Sequence, residues 1–334
     1  MELIRGMHNV RPAHRGCVAT IGNFDGVHRG HQAILQSLKA RAQEWGCKTA
    51  LITFEPQPRE FFQGQEVPAR LTRLREKWAR LKALGIDLLV LLPFNEALAN
   101  SDPEAWARSV FVDGLAVRHV LVGDDFRFGH QRRGDGALLR ALGAEAGFTV
   151  AATPTVREGG ERISSSRIRA CLAEADFAAA EQLLGAPYSI TGRVVYGRQL
   201  GRTLSMPTAN LRLQRYRSPL SGVFTVVVEG LDRPYGGVCN IGVRPTVEGR
   251  EPLLEVHLFD FEGSLYGQLL TVRFLEKIRD EQRFDGLEAL QAQIHRDAAA
   301  ARARWAQESA PGACGGKPWG LRDCYSSSIR SRRR

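Results

Sequence analysis

The chain has 334 residues, of which 43% are hydrophobic and 25% charged, and its net charge at pH 7 is +10. This composition is typical of a globular protein, and the length predicts two domains because single cores stop growing at about 250–300 residues. Since the sequence lacks an apolar run of about 18 residues and a signal-peptide core, we expect a cytoplasmic protein without a membrane partner.

The first predicted strand ends in a glycine-rich turn that leads into a helix. Residues 20–32 read T-I-G-N-F-D-G-V-H-R-G-H-Q. A turn of this kind can bind phosphate, because the first N–H groups of a helix have no internal partner and lie at the positive end of its dipole. His28 and His31 are three residues apart, so both imidazoles lie on one side of the first turn and can donate to phosphate oxygens. The alternative is a tight turn with two solvated histidines.

The string G-N-F-D-G-V-H-R-G-H resembles the G-x-F-D-x-x-H-x-G-H signature of HxGH nucleotidyltransferases. Residues 15–305 as a whole resemble the prokaryotic bifunctional riboflavin kinase/FMN adenylyltransferases, often called FAD synthetases. The resemblance implies that His28 and His31 contact the ATP phosphates and stabilise charge as pyrophosphate leaves, with no covalent enzyme intermediate. It also assigns four neighbouring residues to the ATP site: Gly22, Asn23, Phe24 and Asp25.

Strand-like and helix-like segments alternate up to residue 184. Strands are predicted at 49–54, 87–92, 119–123 and 148–152, and helices at 71–84, 103–113, 137–146 and 170–184. This alternation predicts a Rossmann-like, doubly wound parallel sheet. We assign residues 1–184 to this domain, which the resemblance makes the FMN adenylyltransferase. In such sheets ligands bind at the carboxyl ends of the strands.

Two further segments lie where this rule places ligand contacts. In residues 123–129, Phe126 and Phe128 could flank a flavin ring while Asp125 accepts a hydrogen bond, and the family resemblance implies a flavin contact here. The alternative is that both rings are core residues. In residues 162–169, a serine run precedes a helix, and the resemblance implies that Ser164, Ser165 and Arg167 clamp the triphosphate. The alternative there is a simple helix cap.

Beyond residue 185 the sequence changes to short strands separated by turns. Strands are predicted at 188–196, 222–229, 236–241, 252–261 and 268–274. They predict a small antiparallel barrel at 185–308, which the resemblance makes the riboflavin kinase domain. A terminal helix with Leu287, Leu290, Ile294 and Ala298 on one stripe is expected to dock on the barrel. Residues 309–334 form a basic tail that we expect to be disordered.

Residues 197–210, G-R-Q-L-G-R-T-L-S-M-P-T-A-N, open the chemistry of this domain. Thr208 and Asn210 are two apart on an extended chain, so their oxygens point to one side and suit Mg²⁺. A turn is the alternative. The resemblance assigns both residues to Mg-ATP, and Gly201 and Arg202 to the ATP site. The chain departs from the family pattern at Ser205-Met206, where Gly-Phe is expected.

Glu255 lies in an alternating stretch, L-E-V-H-L, in which Leu254 and Val256 share one face. Such alternation is ordinarily explained by a polar outward face. The resemblance implies that Glu255 takes the proton from the ribityl hydroxyl of riboflavin, which then attacks the γ-phosphate of ATP. A second departure is Gln57, where the family pattern has histidine.

The sequence thus predicts an enzyme that phosphorylates riboflavin to FMN and adenylylates FMN to FAD, with riboflavin, FMN and ATP as its small-molecule partners. One alternative is an FMN adenylyltransferase whose kinase is impaired by the departure at Ser205-Met206. A different class is a basic nucleic-acid-binding protein that uses the arginine-rich tail and the net charge. A homo-oligomer is left open by the sequence.

Overall fold

The computed structural model describes residues 1–197, 206–246 and 249–309, without the side chains of 244–246 and 249–250. Contacts group the chain into two compact units. The first unit is Met1–Val67 with Lys77–Ser164, and the second is Pro68–Glu76 with the chain from Ser165 onward. The domain boundary expected after residue 184 stays a prediction. Of the tail predicted to be disordered, all but Ser309 lies outside the described residues.

The first unit is built on a sheet of six parallel strands. They are β1 Glu2–Arg5, β2 Val18–Ile21, β3 Thr49–Glu55, β4 Leu88–Pro93, β5 His119–Gly123 and, after the hairpin of β6 Arg127–Phe128 and β7 Gly134–Asp135, β8 Thr149–Thr153. Their order is β1-β4-β3-β2-β5-β8. Fully buried runs such as Val18–Ile21 are typical of parallel strands covered on both faces. The doubly wound sheet is confirmed, and β1 adds an edge strand that was not predicted.

Helices and short hairpins connect these strands. The helices are α1 Arg29–Glu44, α2 Pro58–Gln63, α3 Leu74–Ala83, α4 Glu96–Ala99, α5 Pro103–Ala107 and α6 Gly136–Ala146. Helix α5 runs on as a π-helix over Arg108–Gly114, so the helix predicted at 103–113 is confirmed. A hairpin of β9 Arg157–Glu158 and β10 Glu161–Arg162 follows the sheet.

Strand β2 lies in the interior of the sheet, where the direction of winding reverses. After β2 the chain passes to β3 and then β4 on one side, whereas β5 and β8 lie on its other side. A crevice forms outside the carboxyl ends of strands at such a switch point, and ligands bind there. The turn between β2 and α1, which leads into the two predicted histidines, is therefore placed at the expected ligand edge of the sheet.

The second unit contains two helices where one was predicted at 170–184. Helix α7 spans Ser165–Ala173 and α8 spans Phe177–Leu184. The single helix was wrong because Ala175 takes a left-handed φ of 56°, which breaks the helical ladder. Asp176 then starts the new helix, since its side chain accepts a hydrogen bond from the Ala179 N–H at 2.9 Å.

A closed antiparallel barrel follows these helices. Its strands are β11 Ser189–Val195, β12 Ala209–Arg212, β13 Gly222–Glu229, β14 Tyr235–Thr246, β15 Gly249–Leu258 and β16 Leu269–Arg279. The order around the barrel is β11-β12-β15-β14-β13-β16. The predicted barrel is confirmed, with β12 as a strand that was not predicted. Leu254 and Val256 are fully buried, so Glu255 between them faces outward.

The terminal helix α9, Leu287–Glu308, packs on the outside of this barrel. A cluster of buried apolar residues joins helix and barrel: Met206, Val223, Val238, Phe259, Ala298 and Ala301. Asp297 on the helix is buried and forms an ion pair of 2.8 Å with Arg279 at the end of β16. Docking of the helix is therefore confirmed, but Leu287 lies outside the contact face, since it is 71% exposed.

A buried ion pair ties the segment Pro68–Glu76 into the second unit. The Arg215 guanidinium donates to both carboxylate oxygens of Glu76, at 2.8 and 2.6 Å, and the side chains are 0% and 6% exposed. Arg215 also donates to the Arg70 and Leu71 carbonyls, and Glu76 accepts from the Thr191 N–H at 2.8 Å. A bidentate pair with these further bonds satisfies much of the hydrogen-bonding capacity of both charges.

We predict that Glu76→Ala lowers the free energy of unfolding of the second unit by about 3–5 kcal/mol, because it leaves the Arg215 charge buried without its carboxylate. Urea unfolding measures the loss, and hydrogen exchange at the Thr191 amide should accelerate because Glu76 accepts that bond. Asp260→Ala is the control, since its pair with Arg302 is exposed, and it should change little. Equal effects of the two variants would contradict the prediction.

Candidate functional site

The two predicted histidines meet at the start of α1. His28 is the N-cap residue, and its Nδ1 accepts a hydrogen bond from the His31 N–H at 3.3 Å. In neutral His28 the proton is therefore on Nε2, which is a donor. The two imidazoles stack with ring centroids 3.6 Å apart, and Phe24 lies against His31 with centroids 4.6 Å apart. His31 Nδ1 is buried and has no hydrogen-bond partner among the described residues.

The backbone between β2 and α1 is unusually folded. Phe24, Gly26 and Val27 all have a left-handed φ, of 46°, 85° and 45°. For residues with a Cβ this region costs on the order of 1–3 kcal/mol each, so the surrounding structure must hold the turn in place. Gly30 lies close under the first histidine, where an added Cβ would come within 3.1 Å of His28 Nδ1. These features explain why glycines occur at this turn.

Two basic residues that were not predicted contact the turn that precedes the histidines. Lys77 and Arg80 of α3 are both buried, and they donate to the carbonyls of Asn23 and Gly26 at 2.5 and 2.7 Å. Burial and the positive charges of His28, Lys77 and Arg162 hold the pKa of His31 well below its ordinary range. The site therefore combines a neutral imidazole with concentrated positive charge, which suits a polyanion such as a triphosphate.

The predicted flavin residues lie in the loop after β5. Phe126 and Phe128 stack on each other with centroids 5.3 Å apart. Phe128 is 7% exposed and packs on Trp106, whereas Phe126 is half-buried and is the ring with accessible surface. Asp125 forms an ion pair of 2.9 Å with Arg162, and this hydrogen bond lowers the pKa of the Asp125 carboxyl. Arg162 is thus paired with the loop through Asp125, and its charge also acts on His31.

The predicted serine clamp lies where the two compact units divide. Ser164 ends the first unit, and the preceding carbonyl, of Ile163, is 3.5 Å from the position that a Cβ on Gly30 would take. Ile163 therefore lies beside the start of α1, and Ser164 is the next residue along the chain. Ser165 begins α7 and belongs with Arg167 to the second unit; both are half-buried. Their part in the site stays a prediction.

Gln57, which stands where the family pattern has histidine, caps α2 at the carboxyl end of β3. Its N–H donates to Glu60 Oε2 at 2.8 Å, and its side chain is buried. In the described part of the chain the side-chain Nε2 has no hydrogen-bond partner. A buried amide nitrogen without a partner is costly, so this side chain is available to a bound ligand at the same edge of the sheet.

In the barrel, three polar residues form a row across neighbouring strands. Asn210 of β12 lies opposite Glu255 of β15, which lies opposite Asn240 of β14. Because residues directly opposite each other point to the same face, all three side chains lie on the outer face of the barrel. Asn210 is 6% exposed, and its Oδ1 has no hydrogen-bond partner among the described residues. Glu255 is half-buried beside it.

Gly197, two residues after β11, approaches this row closely. A Cβ on Gly197 would overlap the Asn210 side chain, so only glycine leaves room there. Thr208 is exposed, and the carbonyl before it, of Pro207, is 2.9 Å from His257 Nδ1. Met206 is buried in the cluster that joins α9 to the barrel, so the thioether fills an apolar space. Gly201, Arg202 and Ser205 lie outside the described residues.

Two features are absent from the residues that the structure describes. They contain no helix that is long and apolar enough to cross a membrane. They also contain no group of three or more His, Cys, Asp and Glu side chains that could hold a metal ion. A cation site built from Thr and Asn oxygens needs none of these four residue types.

This architecture defines a class: a nucleotidyltransferase-type α/β unit joined in one chain to a riboflavin-kinase-type barrel. The family model for FAD synthetase matches residues 10–167, and the model for riboflavin kinase matches residues 184–305. The chain therefore belongs to the bifunctional riboflavin kinase/FMN adenylyltransferase family.

Curated relatives with the family name match this chain over nearly their whole length. The bifunctional riboflavin kinase/FMN adenylyltransferase of Pseudomonas fluorescens is 53% identical over 91% of this chain and 97% of its own. That of Escherichia coli K12 is 49% identical, covering 90% and 97%. A crystal structure from Streptococcus pneumoniae, described as a macrolide-efflux protein, superposes with a TM-score of 0.75 at 28% identity, over 90% of this chain and 99% of that one.

We predict that His31 titrates below the ordinary histidine pKa of about 6.5, because burial and nearby positive charge disfavour the imidazolium. As the pH falls below about 6.5, the unfolded chain binds a proton at this position that the folded chain does not, so stability decreases. NMR titration of the His31 ring measures the pKa, and His31→Gln, which should reduce the pH dependence of unfolding, identifies the resonance. A midpoint at or above 6.5 would contradict the prediction.

Proposed function

We propose that the chain makes FAD from riboflavin in two successive ATP-dependent reactions. The barrel phosphorylates riboflavin to FMN, and the first unit joins FMN to the AMP part of ATP. Family membership and the match to both family models support the two activities. The observation that carries the proposal is the stacked pair His28 and His31 at the start of α1, in a setting of concentrated positive charge.

In adenylyl transfer an oxygen of the FMN phosphate attacks the α-phosphorus of ATP, and the bond between the α- and β-phosphates breaks. FMN already carries an anionic nucleophile, so the site mainly has to align the reactants and stabilise charge. His28 donates from Nε2 to the phosphates, and the buried Nδ1 of His31 gains a partner when the triphosphate binds. The wall of the ATP site is formed by four consecutive residues of the turn: Gly22, Asn23, Phe24 and Asp25.

The remaining predicted residues of this site keep the roles given by the resemblance. Ser164, Ser165 and Arg167 clamp the triphosphate. Phe126 offers the accessible ring to the flavin, and Phe128 supports it from the core side, because the two rings stack. Asp125 accepts a hydrogen bond from the flavin in competition with Arg162, to which it is now bonded.

In the kinase reaction the ribityl hydroxyl of riboflavin attacks the γ-phosphorus of ATP and ADP leaves. Glu255 takes the hydroxyl proton, and its place between Asn210 and Asn240 on the outer face of the barrel suits that role. The Oδ1 of Asn210, which is buried and has no hydrogen-bond partner within the described residues, and the hydroxyl of Thr208 fit a hard cation, and we propose Mg²⁺. When bound, the cation neutralises phosphate charge. Gly201 and Arg202 stay predicted ATP contacts.

The impaired-kinase alternative from the sequence loses support, and the nucleic-acid alternative stays a prediction. An impaired kinase rested on Ser205-Met206, but Met206 is well packed between barrel and helix. Relatives 53% and 49% identical, which this chain covers almost completely, carry both activities in their names. The nucleic-acid alternative rests on the arginine-rich end of the chain, which lies outside the described residues. Its signature would be RNA or DNA binding that weakens steeply with salt.

Riboflavin, FMN and ATP are the partners we propose, in the cytoplasm, where ATP is supplied to both reactions. The direct test is to incubate the purified chain with riboflavin, Mg²⁺ and ATP and to separate the flavins by chromatography. FMN followed by FAD is expected. Formation of FAD from added FMN but not from riboflavin would restrict the proposal to the first unit. If neither FMN nor FAD formed, the proposal would be overturned.

Size-exclusion chromatography with light scattering would measure the oligomeric state.

We predict that single substitutions separate the two activities. His31→Ala should abolish FAD formation from FMN and leave phosphorylation of riboflavin intact, because its ring lies in the first unit. Glu255→Gln should stop FMN formation and spare adenylylation of added FMN, because it removes the base. Each variant is the control for the other, and unchanged FAD synthesis by His31→Ala would disprove its role.

We predict that Gly197→Ala lowers the kinase rate by at least about tenfold, because the new Cβ displaces the Asn210 side chain that we assign to the cation. FMN formation at varied Mg²⁺ concentration measures the effect, and the Mg²⁺ requirement should rise. Gly286→Ala is the control, since a Cβ there meets no atom within 4 Å. A variant with the wild-type rate and Mg²⁺ dependence would contradict the assignment of Asn210.

A further inference from the structure

Lys77 is a buried lysine beside the adenylyl-transfer site with no role assigned so far. Its side chain is 1% exposed, and its Nζ donates to the Asn23 carbonyl at 2.5 Å and to Thr53 Oγ1 at 3.4 Å. The Thr53 hydroxyl in turn lies 3.5 Å from the same Asn23 carbonyl. A lysine is rarely buried to this extent, so its place on the inner face of α3 calls for a specific function.

The contact determines the orientation of one peptide group. A peptide bond is planar and trans, so the N–H of Phe24 points opposite to the Asn23 carbonyl, that is, away from Lys77. One turn further along α3, Arg80 holds the Gly26 carbonyl in the same manner at 2.7 Å. The left-handed residues Phe24 and Val27 follow directly on these two anchored carbonyls. The two cations therefore stabilise a backbone that would otherwise relax.

The peptide held by Lys77 is connected to the two histidines through ring contacts. Phe24, whose N–H belongs to the peptide held by Lys77, packs on the ring of His31 with centroids 4.6 Å apart. His31 stacks on His28 at 3.6 Å. The positive charge of Lys77 also acts on the His31 imidazole, together with His28 and Arg162. Removing Lys77 would therefore loosen the support of His31 and change the field around it.

We propose that Lys77 is a positioning residue for adenylyl transfer, which holds the Asn23–Phe24 peptide so that Phe24 supports His31 against the triphosphate. This inference rests on the proposed function of the first unit. Lys77 does not touch the reacting atoms; it acts through the backbone of the turn. An apolar residue of similar length would fill the space but would release the carbonyl.

The test compares Lys77→Met and Lys77→Gln with wild type, in the full chain. For FAD formation from FMN and ATP, both variants should lose kcat by roughly 100-fold, as expected of a small misalignment, with little change in KM for ATP. NMR titration should show a higher pKa for His31 in both, because the lysine charge is gone. Phosphorylation of riboflavin by the same preparations should be unchanged.

Lys82→Met is the matched control, since Lys82 is on the same helix but half-exposed over the Trp78 ring, and it should behave as wild type. Wild-type kcat in Lys77→Met or, where that variant does not fold, in Lys77→Gln would overturn the proposal. So would a parallel loss of both activities and of melting temperature, or failure of both variants to fold, since Lys77 would then serve stability alone. If wild type itself made no FAD, the proposed function would fail instead.

Discussion

Two hydrogen bonds from buried cations to peptide carbonyls hold together the part of the first unit on which its chemistry depends. The turn between β2 and α1 combines left-handed residues with a histidine cap, and such a backbone is not stable by itself. Lys77 and Arg80 bind its carbonyls, and the helix start with its histidines follows directly along the chain. The positive charges that stabilise the turn are also those that favour a polyanion beside it.

Much of the fold was predictable because burial leaves a strong periodic signal. Parallel strands such as Val18–Ile21 are continuous apolar runs, and Gly222–Glu229 was predicted with its observed bounds. The break at Ala175 was missed, since nothing in an alanine-rich stretch marks a left-handed residue. The buried face of α3 could not be read from its apolar residues, because Trp78 is half-exposed whereas Lys77 is buried.

The candidate sites were predictable to the extent that their residues are close in sequence. Spacing alone brought His28 and His31 together, because three residues make nearly one helical turn. Lys77 stands three residues after Leu74 and four before Leu81, which is the spacing of one helix face. A lysine at such an apolar position was the only sequence signal for its role. Asn210 and Glu255 are neighbours only through the register of β12 with β15, which sequence patterning does not specify. Resemblance to the family supplied what spacing could not.

The pair Glu76 and Arg215 has a consequence for how the chain can be divided. The FAD synthetase model ends at residue 167 and the riboflavin kinase model begins at residue 184, so the two models assign Glu76 and Arg215 to different domains. The contacts, in contrast, assign both residues to one compact unit. A kinase fragment cut at the sequence border would contain a buried guanidinium without its carboxylate. The halves are therefore interleaved modules, and a split of the gene into two independent proteins would have to carry residues 68–76 along with the barrel.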